Sequence, residues 1–458
     1  MPRRELIKQF KARDLASAFG IKRSEVREIR QEAEDAGFLD FVVNPRTKTA
    51  YFFVDELGRG AFGRVYTALR RDQNVLRNVF KVFAIDGDTL PDSTTTSGRK
   101  RTRRYTAREL NTQSAMAEYR ISRLIVRRLG EVFCETRVIC AKEMFALSSL
   151  SRGFVRFPFA SANSLLRYLF SVHHPKMRNV QQQINNAGYP GRKLVELLRL
   201  YPTLKNNFPP DEVAALYALL ERSVEQYNSL VLNSMLMALQ LTTTLGQLHS
   251  TDIFHRDIKP DNILVLDRTL TVNTDDDFDS LDVRVKLIDF GLGCALPTEN
   301  DGQFANRRDD LIECSEEYFT TPLYRDPLAR YQDTLYANSS LSDRDRIRER
   351  DGKFDVYAMG KTIMTIFDPQ SLTPSGEPRY PIVRQTRFLP SDILTLLIGM
   401  TGEINYSTNR SAPDLSFGEQ KLRIEGYMQR PTAQEAAKTI ADYIKNSLVN
   451  SLLQLPAQ

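Results

Sequence analysis

The sequence has few of the residues and runs that mark metal clusters or membrane spans. Its 458 residues include only four cysteines, whose uneven spacing matches no metal-binding pattern, so we expect free thiols in a reducing compartment. No apolar run approaches the roughly 20 residues that span a bilayer. The basic N-terminal stretch MPRRELIKQF is followed by charge rather than by the apolar core of a secretory signal. We therefore expect a cytoplasmic protein that does not insert into membranes.

Neither sign of charge dominates the chain. The 63 basic and 57 acidic residues give a net charge of +6, which is mild for this length, so charge alone argues against a nucleic-acid partner. Hydrophobic residues make up 41% and charged residues 26%, as in an ordinary globular protein with enough apolar material for a core. The length allows one large two-lobed unit or two to three average domains.

The densest cluster of reactive side chains lies in HSTDIFHRDIKPDN, residues 249–262. Phosphoryl transfer from ATP needs a proton acceptor for the attacking hydroxyl, a metal ligand and positive charge near the phosphates. Asp257 fits the first role, Asn262 the second and Lys259 the third, since a cation acts more strongly in a dry cleft than in water. This spacing resembles the H-R-D-x-x-x-x-N catalytic loop of the eukaryotic-type protein kinases, and Lys259 resembles their serine/threonine-specific branch.

A glycine-rich stretch precedes this segment in the chain. LGRGAFGRVY carries Gly58, Gly60 and Gly63 in the pattern G-x-G-x-x-G and then Val65. Glycines let backbone N–H groups approach phosphates closely. Dinucleotide-binding folds share the pattern, but there it leads into a helix, whereas RVYTALR has the composition of a strand. The context therefore resembles the glycine-rich hairpin of kinases.

The next strand and helix supply a lysine and a glutamate in the order that the kinase family uses. Lys81 in NVFKVFAI resembles the lysine that neutralises the α and β phosphates, and Val79 stands where kinases usually have alanine over the adenine ring. On the following helix we expect Glu118 to pair with Lys81, with Glu109 as the open alternative. Ser122, one turn later, is polar where the family stacks an apolar residue.

The resemblance extends to the adenine linker and to the second metal ligand. In the kinase frame, Phe157 is the gatekeeper and the backbone near Phe159 holds the adenine edge. Asp289 begins an Asp-Phe-Gly motif after an apolar strand, which implies a ligand for magnesium. Residues 292–320 then correspond to the activation segment. Its candidate phosphate acceptors, which Arg256 would meet, are Ser315, Tyr318 and Thr320.

The segment TTPLYRDP resembles the kinase pattern T-P-x-Y-x-A-P-E. Thr321 would hydrogen-bond the catalytic loop and help select a serine or threonine acceptor. Asp326 and Leu328 replace the alanine and the glutamate of the pattern. The glutamate normally pairs with an arginine that Arg430 resembles, so either another acid pairs with Arg430 or it lies near the surface. Asp355 of DVYAMG would brace the catalytic-loop backbone.

Three regions lie outside the family pattern. RDLASAFGIKRSEVREIRQEAEDAGF predicts two helices around a glycine turn, which is typical of a helix-turn-helix DNA reader. Alternating Glu and Arg instead favour a helical extension that packs on the following lobe. Residues 86–108 have the composition of a flexible, solvated loop. Residues 171–229 predict a helical insertion, either a structural helix pair or a platform for a protein partner.

Together these motifs predict an α+β, bilobal protein-kinase-like fold with a small β-rich N-lobe, a larger helical C-lobe and an N-terminal helical extension. The implied function is magnesium-dependent transfer of phosphate from ATP to Ser/Thr hydroxyls of a protein substrate. The alternatives are a nucleotide-binding scaffold without transfer and a DNA-binding regulator. The inserts also resemble those of divergent kinases that bacteria deliver into host cells, which would place such a protein in the host cytosol. The expected domains are 1–50 (accessory), 51–161 (N-lobe), 162–446 (C-lobe) and 447–458 (tail).

Overall fold

A computed structural model of the chain divides into two compact units. The first comprises Met1–Ser161, Asp289–Ala295 and Glu299–Glu313, and the second comprises the rest. The residues that the structure describes are 7–60, 63–73, 75–84, 107–160, 162–186, 210–266, 283–298, 314, 322–330, 336, 340–373, 376, 389–402 and 426–448.

The first unit is built on a six-stranded antiparallel sheet. Its strands follow the order β1-β2-β3-β4-β6-β5. The pairing of β2 with β3 shifts register between Phe53 and Glu56 and again between Glu56 and Gly58, so β2 is bulged halfway along its length. The strands are β1 (Asp40–Val43), β2 (Ala50–Gly60), β3 (Gly63–Arg70), β4 (Asn78–Ala84), β5 (Glu143–Leu147) and β6 (Arg152–Pro158).

One face of this sheet is apolar and is covered by the N-terminal helices. Alternation along the strands turns Phe53, Tyr66 and Phe80 to that face, where the rings of Phe53 and Tyr66 stack with centroids 5.2 Å apart. Two helices follow a 3₁₀ turn at Ile7–Gln9, namely α1 (Ala12–Phe19) and α2 (Arg23–Asp35). The predicted packing of a helical extension on the sheet is confirmed by the buried side chains that both helices contribute to the same core, which are Leu15, Phe19, Val26, Ile29 and Ala33.

Asp40 ties the N-terminal turn to the sheet. Its side chain is 1% exposed and accepts hydrogen bonds from the N–H groups of Ile7, Lys8 and Phe41. Burial raises the pKa of Asp40 to about 6, although these three N–H donors oppose the rise. The folded protein therefore holds a proton on Asp40 at a pH at which the unfolded chain has released it.

This raised pKa predicts a specific dependence of stability on pH. Protonated Asp40 contributes fully below its unfolded pKa of 3.8, and the contribution is lost as the pH rises through about 6. The rise corresponds to roughly 3 kcal/mol. We expect the stability of the wild type, relative to Asp40→Asn, to fall by up to that amount between about pH 4 and pH 7. Urea unfolding of both proteins at the two pH values measures it, and a pH-independent difference would contradict it.

After the first four strands come α3 (Ala107–Leu129) and α4 (Glu131–Thr136). The expectation of free thiols is wrong, because Cys134 and Cys140 form a disulfide and no cysteine is free. The chain turns back after α4, which brings the two Cα atoms within 5.5 Å, a separation that is common for disulfides. Sequence spacing alone does not reveal this turn. The loop predicted at 86–108 lies almost entirely outside the described residues.

The second unit is mainly helical, so the expected order of a β-rich unit followed by a helical one is confirmed. Strands β7, β9 and β10 form a small antiparallel sheet in the order β10-β9-β7, and β11 belongs to the first unit. The helices are α5 (Leu165–Tyr168), α6 (His174–Asn186), α7 (Pro210–Ser250), α8 (Asp343–Phe367), α9 (Ser391–Thr401) and α10 (Ala433–Tyr443), and the strands are β7 (Asn163–Ser164), β8 (Ile253–Phe254), β9 (Ile263–Leu266), β10 (Arg284–Leu287) and β11 (Cys294–Ala295).

Helix α7 leads directly into the candidate catalytic loop. It is continuous from Pro210 to Ser250, so the predicted end of the insertion at residue 229 falls inside it. No proline or glycine interrupts the sequence around that point, which leaves nothing to stop the helix. Leu241, Leu245 and Leu248 are at most 1% exposed and anchor its C-terminal half. Among the residues that the structure describes, no helix is both long and apolar enough to cross a bilayer.

Candidate active site

Lys81 stands at the centre of a buried charge cluster in the first unit. Its Nζ lies 2.9 Å from Glu118 Oε2 on α3 and 2.8 Å from Asp289 Oδ1. These partners are 37 and 208 residues away along the chain. Glu118, not its rival Glu109, is therefore the glutamate seen beside Lys81; the side chain of Glu109 lies outside the described part of the structure.

The electrostatics of this cluster keep Lys81 charged. Burial by itself would lower the pKa of the Lys81 ammonium, but the carboxylates of Asp289 and Glu118 outweigh it and raise the pKa well above its usual value. The Asp289 side chain is 34% exposed, against 10% for Lys81. The cluster thus combines a fixed cation with a carboxylate that is accessible to a ligand.

Ser122 is polar in a buried place, and its hydrogen bonds explain why it is tolerated. It is 1% exposed, its Oγ donates to Glu118 O at 2.8 Å, and it accepts from Ala141 N at 2.8 Å. A buried hydroxyl that both donates and accepts avoids most of the cost of burial. Through this pair of bonds Ser122 connects the helical turn of Glu118 to the segment that follows the Cys134–Cys140 disulfide.

Two glycines of the motifs occupy places that exclude a side chain. Gly63 has a φ of +152°, and a Cβ on it would lie 2.6 Å from Val82 O. A Cβ on Gly291, in the Asp-Phe-Gly motif, would lie 2.3 Å from Ser114 Oγ on α3. The close approach of Ser114 is not evident from the sequence, because it depends on how α3 packs. Gly58 and Gly60 lie on β2, where they pair with Val65 and Gly63.

The sheet face opposite the aromatic core carries the residues predicted to contact adenine. Val65 pairs with Lys81 across β3 and β4, so Val65, Val79 and Lys81 share this face. Val79 pairs in turn with Phe157 on β6. The N–H of Phe159 donates to Arg77 O at 2.9 Å, so this N–H is already bound. At Phe159, therefore, the carbonyl is the backbone group that fits the predicted contact with the adenine edge.

The candidate catalytic loop, in the second unit, is held by its own hydrogen bonds. Asp257 Oδ2 accepts from Lys259 Nζ at 2.7 Å and from Asn262 Nδ2 at 2.9 Å. Asn262 Nδ2 also donates to Asp257 O at 2.8 Å. The three residues singled out for the proton, the charge and the metal are therefore neighbours. Their mutual bonds fix the direction of the Asp257 carboxylate.

Asp355 braces this loop from helix α8. The carboxylate is fully buried and accepts from His255 N at 2.8 Å and from Arg256 N at 2.7 Å. Arg256 has a φ of +64°, a left-handed conformation that costs energy in a residue other than glycine. Charge-assisted bonds to two successive N–H groups offset that cost.

His255 is a second brace of the loop, and we did not predict a role for it from the sequence. Its Nδ1 accepts from Asp257 N at 3.3 Å, and its Nε2 lies 3.0 Å from Ile288 O. Since Nδ1 accepts and the carbonyl can only accept, Nε2 is the ring nitrogen that donates in this arrangement. The imidazole thus positions the Asp257 backbone.

The acid that pairs with Arg430 is Asp326. Arg430 Nη1 lies 2.6 Å from Asp326 Oδ2, and both side chains are 2% exposed. Arg430 also donates to Lys353 O at 2.8 Å and stacks over the rings of Tyr357 and Tyr427. Of the alternatives left open by the missing glutamate, a substitute acid is therefore present and Arg430 is not at the surface.

Parts of the predicted activation segment lie outside the described residues. They include Thr321 and the candidate phosphate acceptors Ser315, Tyr318 and Thr320. Arg256, predicted to meet such a phosphate, has its Nε 3.9 Å from Asp351 Oδ2.

Asn262 and Asp289 fit magnesium by their donor chemistry. Magnesium prefers oxygen ligands, one or two of them carboxylates, with water and phosphate completing the shell. Asn262 uses its amide nitrogen on Asp257, which leaves the oxygen as its ligand atom. The carboxylate of Asp289 is partly exposed. The two residues offer the right type of atom for the role that the sequence predicts.

Comparison with family models gives two overlapping matches. A model described as the protein kinase domain matches residues 216–439. A second, described as protein tyrosine and serine/threonine kinase, matches residues 52–311. A search of curated protein sequences returned no match. Since the second model covers more than half of the 458 residues, and the two together span both units, the chain belongs to the protein kinase family.

Proposed function

We propose that the chain is an active, ATP-dependent protein kinase that phosphorylates serine and threonine. The observation that carries the proposal is the pair of contacts from Lys81 Nζ to Glu118 and Asp289. In the kinase family this arrangement accompanies a competent nucleotide site.

The proposed reaction forms a bond between the acceptor hydroxyl oxygen and the γ-phosphorus of ATP. The bond from the γ-phosphorus to the bridging oxygen breaks, and ADP leaves with its electron pair. Asp257 takes the hydroxyl proton, and Lys259, 2.7 Å from the Asp257 carboxylate, offsets negative charge on the transferred group. Lys81 binds the α and β phosphates, and the backbone around Gly58, Gly60 and Gly63 covers them.

Magnesium would be held by Asn262 and Asp289. When bound, it supplies positive charge that offsets the charge on the phosphate oxygens. Asn262 is kept in place by its two bonds to Asp257. Asp289 is kept in place by Lys81.

The acceptor class is argued from Lys259. In the serine/threonine branch of the family a lysine occupies this position, and Lys259 Nζ binds the Asp257 carboxylate as that role requires. A protein substrate, rather than a small molecule, is favoured by the TTPLYRDP segment. A partner or substrate platform on residues 171–229 is a second proposal, and it is supported by the side of α6 that exposes Arg178, Asn179 and Gln182.

The scaffold alternative loses its two supports. It rested on the polar Ser122 and on the missing glutamate at Leu328. Ser122 has a donor and an acceptor, and Asp326 provides the acid for Arg430. Neither departure therefore leaves a defect in the described structure.

The test is transfer of label from γ-labelled ATP to generic protein substrates, followed by phosphoamino-acid analysis. The control is Asp289→Asn, which keeps the shape of the side chain and removes its charge. We expect label on serine and threonine with the wild type and a loss of at least about 10²-fold with the control. Label on tyrosine alone would overturn the acceptor assignment. Equal incorporation by the two proteins, or none by the wild type, would overturn the catalytic assignment.

A further inference from the structure

We propose that the N-terminal helices of this chain bind duplex DNA through a basic face. This face consists of Lys22, Arg23 and Arg27 at the start of α2, with Arg46 and Lys48 on the β1–β2 turn. All five residues are exposed. The proposal goes beyond phosphoryl transfer and does not depend on it.

A short, tightly capped turn joins the two N-terminal helices. Helix α1 ends at Phe19, and Gly20 follows in the left-handed conformation, with a φ of +64° and its N–H bonded to Ala16 O. Only Ile21 and Lys22 separate this cap from the start of α2. A short turn with a left-handed glycine between two helices is typical of the helix-turn-helix motif, in which the first residues of the second helix contact base edges in the major groove.

Packing on the sheet leaves the face of α2 that carries Arg23 and Arg27 uncovered. The helix buries Val26, Ile29 and Ala33 in the core. Arg23 and Arg27 lie on the opposite, exposed side. Among the described residues, neither guanidinium pairs with a carboxylate. The structural role of the helices therefore uses one face of α2 and leaves the other for a ligand.

The acidic side chains of α2 would repel a phosphate backbone where their charge is not offset. Glu28 and Glu32 are bound by Arg71 of the sheet at 2.6 Å and 2.8 Å. The exposed Glu34 and Asp35 lie at the far end of the helix. The single cation of Arg71 offsets one of the two charges of Glu28 and Glu32, and Glu25 in the first turn is half-buried. The helix therefore begins with Lys22, Arg23 and Arg27 against one acid and ends with the acids Glu34 and Asp35. This polarity fits a groove that is entered by the first turns.

The β1–β2 turn adds positive charge beside the N-terminal end of α2. Lys48 Nζ donates to Phe19 O at 3.1 Å and to Pro45 O at 2.7 Å. A Cβ on Gly20 would lie 2.6 Å from the same Nζ. The hairpin is therefore fixed against the turn between α1 and α2. Arg46, exposed on that hairpin, extends the basic face beyond the helix.

The form of the face favours duplex over single-stranded nucleic acid. A helix about 10–12 Å across fits a major groove about 12 Å wide. Proteins that bind single strands stack bases on exposed aromatic rings. Among the described residues of this surface, no aromatic side chain is exposed. The mild charge of the whole chain does not reveal this local arrangement.

The experiment measures binding of the full-length chain to a labelled duplex of about 25 base pairs and mixed sequence, two helical turns long. It is done without ATP, by fluorescence anisotropy, over a range of salt concentrations. The test variant is Arg23→Glu/Arg27→Glu. The matched control is Lys438→Glu/Lys445→Glu, which makes the same change of charge at two exposed residues of the second unit. Thermal unfolding of each variant verifies that it is folded.

We expect the wild type and the control to bind the duplex with similar affinity and the test variant to bind at least tenfold more weakly. The slope of log affinity against log salt should lie between about −3 and −5 and should become less negative by about 2 in the test variant. Equal binding by wild type and test variant would overturn the proposal. So would an equal loss in the control, tighter binding of a single strand of the same length, or no binding by the wild type. An Asp257→Asn protein should bind DNA normally, which separates this result from the kinase proposal.

Discussion

Replacing Asp257 with asparagine is expected to reduce the turnover number for phosphoryl transfer by about 10³-fold or more. Asparagine cannot take the proton of the attacking hydroxyl, and a positioned general base is worth about 10²–10⁴-fold. The amide oxygen can still accept from Lys259 and from Asn262, which now bind the carboxylate at 2.7 Å and 2.9 Å. The loop should therefore keep its conformation, and the KM for ATP should change little.

The measurement is the initial rate of transfer from labelled ATP, with thermal unfolding as a check on folding. Asp261→Asn is the matched control, because it makes the same chemical change at an exposed residue of the same loop. It should keep most of the activity. A comparable loss in both variants would mean that the loop tolerates no change of charge. Activity of Asp257→Asn close to that of the wild type would show that Asp257 is not the proton acceptor.

Removing the carboxylate of Asp326 is expected to destabilise the second unit by about 3–5 kcal/mol. Asp326→Ala leaves the Arg430 guanidinium buried at 2% exposure without its charge partner. The remaining bond to Lys353 O does not neutralise it. Chemical unfolding measures the effect. Asp343→Ala, which removes one partner of the exposed pair Arg346–Asp343, should cost less than about 1 kcal/mol.

A double variant tests whether the cost comes from the unpaired charge. Asp326→Ala combined with Arg430→Met removes both charges and keeps an apolar side chain between Tyr357 and Tyr427. We expect it to be more stable than Asp326→Ala alone. If the effects of the two substitutions on the free energy of unfolding are additive, the loss of stability arises from packing rather than from an isolated cation.

The catalytic motifs could be predicted from sequence because each is short and its residues are fixed by local chemistry. The bonds among Asp257, Lys259 and Asn262 join residues within five positions of one another. The kinase fold, with its antiparallel sheet, its helical second part and its N-terminal helices, was predictable from the order of the motifs. Glu118 was preferred to Glu109 from the sequence, but the polar Ser122 one turn later left Glu109 as an alternative.

Other features depend on tertiary packing, which no pattern in the sequence encodes. Asp326 was visible only as a departure from the family pattern, and its contact with Arg430 spans 104 residues. The disulfide depends on the turn after α4, which brings its two cysteines together. The requirement for glycine at position 291 depends on the close approach of Ser114. We predicted that the insertion ends at residue 229 and that a separate helix follows it. The sequence around this point contains no residue that stops a helix, so α7 is longer than predicted.

The two register shifts in β2 have a consequence for how the chain combines its parts. They fall between Phe53 and Gly58, just where β1 stops pairing with β2 at Phe53. The part of β2 before the shifts pairs with β1 on one side and with β3 on the other. The part after them carries Gly58 and Gly60. A bulge lets a strand bend locally, so the direction of the glycine end of β2 is set independently of the half that packs under α1 and α2.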